Sequence, residues 1–315
     1  MTHMWLWGAF AAAVLGLLAL DLGVAGRRAH RPSLREAALW TAAWVALAAA
    51  FAVGIALTVG TPAALQFATG YVVEEALSVD NLFVFLLIFS YFRVPAELQH
   101  RVLFWGIFGA LVLRGVMIGM GALLLREFEW ITLIFGAFLL ITGVRLALRG
   151  DDDAFDPSNN LVLRGVRRVL PVTRELHGTH FFAREPDRAG RVRLAATPLF
   201  VVLVLLETTD LVFAVDSIPA IFGVTRDPFL IYTSNVFAIL GLRSVYFLIA
   251  GGMDRFYLLH YGLAAVLAFV GAKMLLERWW EVPTLVSLGV IVVALGASVA
   301  ASLAFPRRAE PTRAS

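Results

Sequence analysis

Leu206–Phe222 reads LETTDLVFAVDSIPAIF, and the fold turns on how this stretch is interpreted. It lies inside a long apolar run, yet it carries Glu207, Asp210 and Asp216, with Pro219 close behind. A charged side chain at the centre of a bilayer costs about 2.5–3.5 kcal/mol on insertion scales. Three acids in one span therefore require a cation, a proton or a buried partner charge. A related stretch lies earlier, at Tyr71–Phe85, YVVEEALSVDNLFVF. The expectation is that the two face each other and together hold a metal ion.

The rest of the chain supports a membrane setting. Its 315 residues are 60% hydrophobic and 16% charged, with a mean hydropathy of +0.82. Soluble domains average about 45–50% apolar and about 25% charged residues. There is no cysteine, which excludes disulfides, thiolate metal sites and thiol redox chemistry carried by the chain itself. The formal charge of +3 comes mostly from arginine, since Lys273 is the only lysine.

Apolar runs of about 20 residues mark transmembrane helices. Nine are expected, near 5–25, 37–59, 66–92, 102–125, 130–148, 195–222, 229–252, 256–276 and 283–305. The first is expected to be retained rather than cleaved, because its positive cluster follows it. Arginines set the orientation. Arg27, Arg28, Arg31 and Arg35 follow the first span, nine arginines fall between Arg149 and Arg193, and Arg307, Arg308 and Arg313 close the chain. The loop at 60–65 has no charge. This alternation predicts an external N-terminus and a cytoplasmic C-terminus. It also accounts for the basic excess without nucleic acid.

The sequence repeats itself. Glu74-x5-Asp80-Asn81 aligns with Asp210-x5-Asp216-Ser217. Leu113-Arg114-Gly115 matches Leu242-Arg243-Ser244, and Gly143-Val-Arg145 echoes Gly271-Ala-Lys273. The common order predicts an all-α polytopic membrane protein in which spans 3–5 and 6–8 form two inverted three-helix repeats, a transporter signature. The organisation is then 1–60 as peripheral spans 1 and 2, 61–148 as the first repeat, 149–194 as a cytoplasmic loop, 195–280 as the second repeat, and 281–315 as span 9 with a tail. The 149–194 loop reads either as an amphipathic helix on anionic lipid, around Arg164, Arg167 and Arg168, or as a solvated connector.

Helical spacing places Glu74, Ser78 and Asn81 on one face, and Asp210, Ala214 and Ser217 on another. Asp80 and Asp216 fall off those faces. Pro219 lacks the backbone donor for Val215, so a distortion is expected at Val215–Pro219, with a weaker one near Asp80. Every candidate ligand is an oxygen: the carboxylates of Glu74, Glu75, Asp80, Glu207, Asp210 and Asp216, the amide of Asn81, and the hydroxyls of Ser78, Thr208, Thr209 and Ser217. The six histidines lie in loops, the tail or at helix ends. Such a set suits Mn²⁺, Mg²⁺ or Ca²⁺ over Zn²⁺ or Cu²⁺. Against the six acids stand Arg114 and Arg243, either as packing partners or as gating charges. Gly106, Gly109, Gly115, Gly119 and Gly121 read as close-packing positions.

EEALSVDNLFVF at 74–85, PVTRELHGTHFF at 171–182, TPLFVVLVLLETTDLVFAVDSIPAIF at 197–222 and SNVFAILGLRSVYFL at 234–248 resemble the TerC/Alx family of integral membrane proteins. That family is named for tellurium resistance and placed among LysE-type transporters. The resemblance spans about residues 35–280. It implies manganese handling: export of Mn²⁺ from the cytoplasm, or its supply to extracytoplasmic metalloproteins. The family's acidic motif falls on Glu74, Asp80, Asn81, Glu207, Asp210, Asp216 and Ser217. The expected function is thus a non-enzymatic exporter of Mn²⁺ in a bacterial plasma membrane, coupled to protons. Two alternatives compete with it. One is a metal-sensing or partner-recruiting protein supporting metalation or tellurite resistance. The other is an intramembrane aspartyl protease using Asp80 and Asp216, disfavoured because neither aspartate sits in a Gly-x-Gly-Asp motif.

Overall fold

The structure, a computed structural model, describes residues 7–8, 10–16, 33–128, 130–148, 165, 171–173, 175–186, 192–250, 258–280 and 282–305, without the side chains of Asp80, Phe83, Pro186 and Val192. Eight long helices dominate it: α1 Leu34–Thr58, α2 Thr61–Tyr91, α3 Ala96–Glu127, α4 Ile131–Leu148, α5 Pro198–Phe222, α6 Pro228–Ile249, α7 Leu259–Leu276 and α8 Thr284–Ala304. They coincide, within a few residues at each end, with expected spans 2 to 9. The expected first span is helical over residues 10–16, and much of the remainder lies outside the described residues.

The helix starts follow local chemistry. Ser33 caps α1 by accepting from the Glu36 N–H, and Asp227 caps α6 by accepting from the Phe229 N–H at 2.8 Å. Proline occupies the first turn of α2, α5 and α6, where its missing N–H costs nothing. Among the described residues, seven helices are long and apolar enough to cross a membrane: all but α2. The exception carries Glu74, Glu75 and Asp80 within its 31 residues. It is packed among α1, α5, α6 and α8, so Glu74 and the Oε2 of Glu75 sit inside protein rather than in lipid.

The expected distortions at Val215–Pro219 and near Asp80 do not break the helices: α5 and α2 are helical throughout. Pro219 falls in the last turn of α5, and the Gly223 N–H still closes onto the Pro219 carbonyl at 3.0 Å, so one absent bond does not interrupt the ladder. Around Asp80 there is neither proline nor glycine to weaken the helix. The 149–194 loop holds an element the sequence reading did not include. Its described part contains an antiparallel hairpin, β1 Phe182–Pro186 and β2 Val192–Ala196, with Glu185 opposite Arg193. The helix considered around Arg164, Arg167 and Arg168 lies outside the described residues apart from 165. The hairpin root is tied to the bundle, because the Thr197 hydroxyl donates to the His180 and Phe181 carbonyls and Arg101 lies over the Phe181 ring.

Helices α2–α4 and α5–α7 pack in a pattern that maps onto itself when α2 exchanges with α5, α3 with α6 and α4 with α7. The α2–α6 contact then becomes α5–α3, while α4–α7, α2–α5 and α3–α6 map onto themselves. The correspondence reaches single atoms at the α4–α7 crossing. A Cβ on Gly143 would meet the Ala268 nitrogen at 2.6 Å and the Ala264 carbonyl at 2.8 Å. A Cβ on Gly271 would meet the Leu140 nitrogen at 2.6 Å and the Gly136 carbonyl at 2.7 Å. Under the alignment that matches Gly143 to Gly271, these two sets of neighbours are equivalent. Helices α1 and α8 pack on the outside of the six, against α2 and α6 and against α2 and α7 respectively.

Candidate functional site

The centre of the bundle is an ionic triad. Arg114 on α3 donates to both carboxylate oxygens of Asp210 on α5, at 2.9 and 3.2 Å, and its remaining terminal nitrogen pairs with Glu74 on α2. All three are buried, with Arg114 only 1% exposed. A guanidinium fork suits this bidentate geometry. Glu74 and Asp210 are the two positions the internal alignment equates, so one arginine ties the first helices of both units together.

Beside the triad lies a small cavity of about 20 Å³ lined by Ser78, Gly106, Ala110, Arg114, Glu207 and Asp210, among others. That volume admits about one water-sized particle. Glu207 and Ser78 line it, and Glu207 Oε2 and Ser78 Oγ are buried with no hydrogen-bond partner among the described residues. A buried polar atom left unpaired costs about 1–3 kcal/mol, so two of them on residues that line one small space call for an occupant. Gly109 makes that arrangement feasible: a Cβ there would overlap the Glu207 carboxylate. The sequence reading took Gly109 for a packing position, whereas it clears room for a candidate ligand.

A second, separate cavity of about 320 Å³ lies where α2, α4, α5 and α7 meet, lined by Asn81, Thr142, Arg145, Asp216 and Ser217 among others. The expected metal-binding residues therefore divide. Glu74, Glu207 and Asp210 gather at the triad and the small cavity; Asn81, Asp216 and Ser217 line the larger one. The side chain of Asp80 lies outside the described residues, and with it the pairing the protease alternative needs. Arg243 is half-buried on α6 and lines neither cavity. Glu75 points toward α6, its Oε2 buried beside Gly241. Thr208 and Thr209 donate to Val204 and Leu205 of their own helix, leaving only their lone pairs for a ligand.

Among the described residues, no three His, Asp or Glu side chains converge into a preformed metal cage. The reasons are geometric. Arg114 holds two of the acids as their counter-ion, and Asp216, six residues beyond Asp210, is rotated well away from it on the helix. Sharing a helix face also did not mean sharing a site, because Ser217 lies two turns from Asp210 along α5. Thr142 and Arg145 were not foreseen as lining residues, although the repeated Gly-x-Arg/Lys pattern marked the segment.

Fold and centre together define a multi-pass integral membrane protein with an oxygen-rich ionic core enclosed by helices. The model of the integral membrane protein TerC family matches residues 59–310, and the chain belongs to that family. It is 50% identical to an uncharacterised membrane protein of Myxococcus xanthus over 96% of this chain and 93% of the relative. Alx of Escherichia coli strain K12, whose name proposes a membrane-bound redox modulator, is 49% identical over 91% of this chain and 90% of its own. The chloroplastic thylakoid membrane protein TERC of Arabidopsis thaliana is 45% identical over 82% of this chain and 66% of its own. No solved structure matches.

Proposed function

We propose that the protein is a secondary transporter that moves a hard divalent cation, Mn²⁺, out of the cytoplasm in exchange for protons. The observation that carries this reading is the small cavity lined by Glu207 and Ser78, whose Oε2 and Oγ are buried and unpartnered among the described residues, next to the Arg114-bridged pair. With all three acids ionised, Glu74, Glu207, Asp210 and Arg114 sum to two negative charges, the complement of one divalent ion. The donors are oxygen throughout, which favours Mn²⁺ over softer metals. The choice of manganese within the hard ions follows the family resemblance. The matched packing of α2–α4 and α5–α7 supports an inverted repeat, the architecture on which alternating access is built.

The membrane is a bacterial plasma membrane, with the N-terminus outside and the 171–197 hairpin segment in the cytoplasm. In that orientation, export against an inside-negative potential of about 100 mV costs about 4.6 kcal/mol per divalent ion. Proton influx supplies it, with Glu207 as the carboxylate that alternates between ion and proton. Exported Mn²⁺ is then available to extracytoplasmic metalloproteins. A redox effect such as the relative's name suggests would follow from metal supply, because a chain without cysteine has no thiol couple of its own.

The test is Mn²⁺ flux in proteoliposomes. An imposed pH gradient is expected to drive Mn²⁺ against its own gradient, and Glu207→Gln to lower flux by about 100-fold or more, the scale on which even outer-shell partners of metal ligands matter. Flux indifferent to the pH gradient would remove the exchange mechanism. Unaltered flux in the variant would remove the site.

A further inference from the structure

The two cavities differ in size by more than tenfold and share no lining residue, although both are walled by α2 and α5. The small one has room only for a stripped ion. The large one, at about 320 Å³, exceeds the about 180 Å³ that six waters occupy at about 30 Å³ each. Its wall reaches the last turn of α4, where Arg145 is exposed. Its polar groups are acceptors for water protons: the Asp216 carboxylate, the Asn81 amide oxygen and the hydroxyl oxygens of Thr142 and Ser217. Ser217, 3% exposed, has its hydroxyl unpartnered among the described residues while lining this space.

We propose that the Asp216 cavity is a staging site for a hydrated divalent cation, held through its water shell and distinct from the dehydrated-ion site at Glu207. The inference rests on the transport reading and assigns it a second, earlier station. Hard divalent ions shed water reluctantly. A cavity that holds the ion with its waters lets dehydration proceed stepwise instead of in one jump into a space of about 20 Å³. Asp216, the one acid among the described lining residues, is offset by the Arg145 charge at the wall, which keeps binding weak, as a station on a conduction path requires.

The probe is hexaamminecobalt(III), whose ammine shell imitates a hydrated cation and does not exchange. Equilibrium dialysis of the intact protein in detergent is expected to give specific binding in wild type and in Glu207→Gln. Binding should weaken at least tenfold in Asp216→Asn, and several-fold in Thr142→Val, which retains the half-buried acid and guards against a folding artefact. Arg145→Gln should tighten it. In proteoliposomes the complex should inhibit Mn²⁺ flux without crossing. Absence of binding in wild type, binding untouched by Asp216→Asn and Thr142→Val, or loss of binding in Glu207→Gln would each overturn the staging site. Binding with this pattern in a protein that moves no Mn²⁺ would leave the hydrated-cation site standing and overturn the transport reading alone.

Discussion

The two three-helix units agree closely at one end of their contact and disagree at the other. At the α4–α7 crossing, Gly143 and Gly271 meet equivalent backbone atoms at nearly equal distances. At the acidic centre the correspondence fails. The alignment that equates Glu74 with Asp210 places Tyr71 opposite Glu207. The alignment that equates Arg114 with Arg243 places Ala238 opposite Gly109 and Asn235 opposite Gly106. Arg114 bridges both equivalent acids, and the ion-sized cavity lies on the Glu207 side. The matched packing belongs to the scaffold, while the buried ionic triad sits where the two units diverge.

The largest effect is expected from Arg114, because it joins the units. Arg114→Leu leaves Glu74 and Asp210 buried without their counter-ion. Breaking a buried ion pair from one side costs about 3–5 kcal/mol. The thermal midpoint in detergent should fall accordingly, and adding Mn²⁺ should restore part of it as the ion replaces the guanidinium charge. The triple replacement Glu74→Leu, Arg114→Leu, Asp210→Leu removes all three charges together. It should recover most of the stability while leaving no Mn²⁺ flux. Recovery of both would reduce the triad to a packing device.

The matched end gives the next prediction. Gly143→Ala and Gly271→Ala each press a methyl group against backbone of the facing helix, at a cost of about 1–3 kcal/mol for overpacking. The two should be equal within about 0.5 kcal/mol. Combined, they should cost less than their sum, since one small separation of α4 from α7 relieves both. Unequal or fully additive losses would argue that the crossing is not built on a two-fold relation.

How much of this was legible beforehand depended on whether a signal was periodic or relational. The helices were readable because twenty apolar residues in a row have no other outcome in lipid. Gly143 and Gly271 were legible as matched positions of a repeat, but that they meet at the α4–α7 crossing was not. The hairpin was missed although Phe182, Arg184 and Glu185 face Ala196, Leu194 and Arg193 across it, because ten residues of weak alternation compete poorly with charge counts. Helical spacing grouped Asp210 with Ser217 and Ser78 with Asn81, and no spacing argument could reveal that each pair would be divided between two cavities. That division depends on how α3 and α4 approach from opposite sides. Arg114 was identified as a charge partner, but its choice of both Glu74 and Asp210 is a fact of three-helix packing.

Gly109 sharpens the contrast at the divergent end. A methyl group there overlaps the end of the flexible Glu207 side chain rather than backbone, so the protein can yield by moving the carboxylate. Gly109→Ala should therefore cost little stability, about 1 kcal/mol at the lower edge of overpacking, while lowering Mn²⁺ flux more than stability alone would suggest. Gly106→Ala is the control, since a Cβ there meets nothing within 4 Å. The coupling is testable in a cycle. In a Glu207→Ala background the stability cost of Gly109→Ala should vanish, because the atoms it displaced are gone. A cost that persists would place the constraint on Gly109 elsewhere in α3, and Glu207 would lose the neighbour that gives its carboxylate room beside the triad.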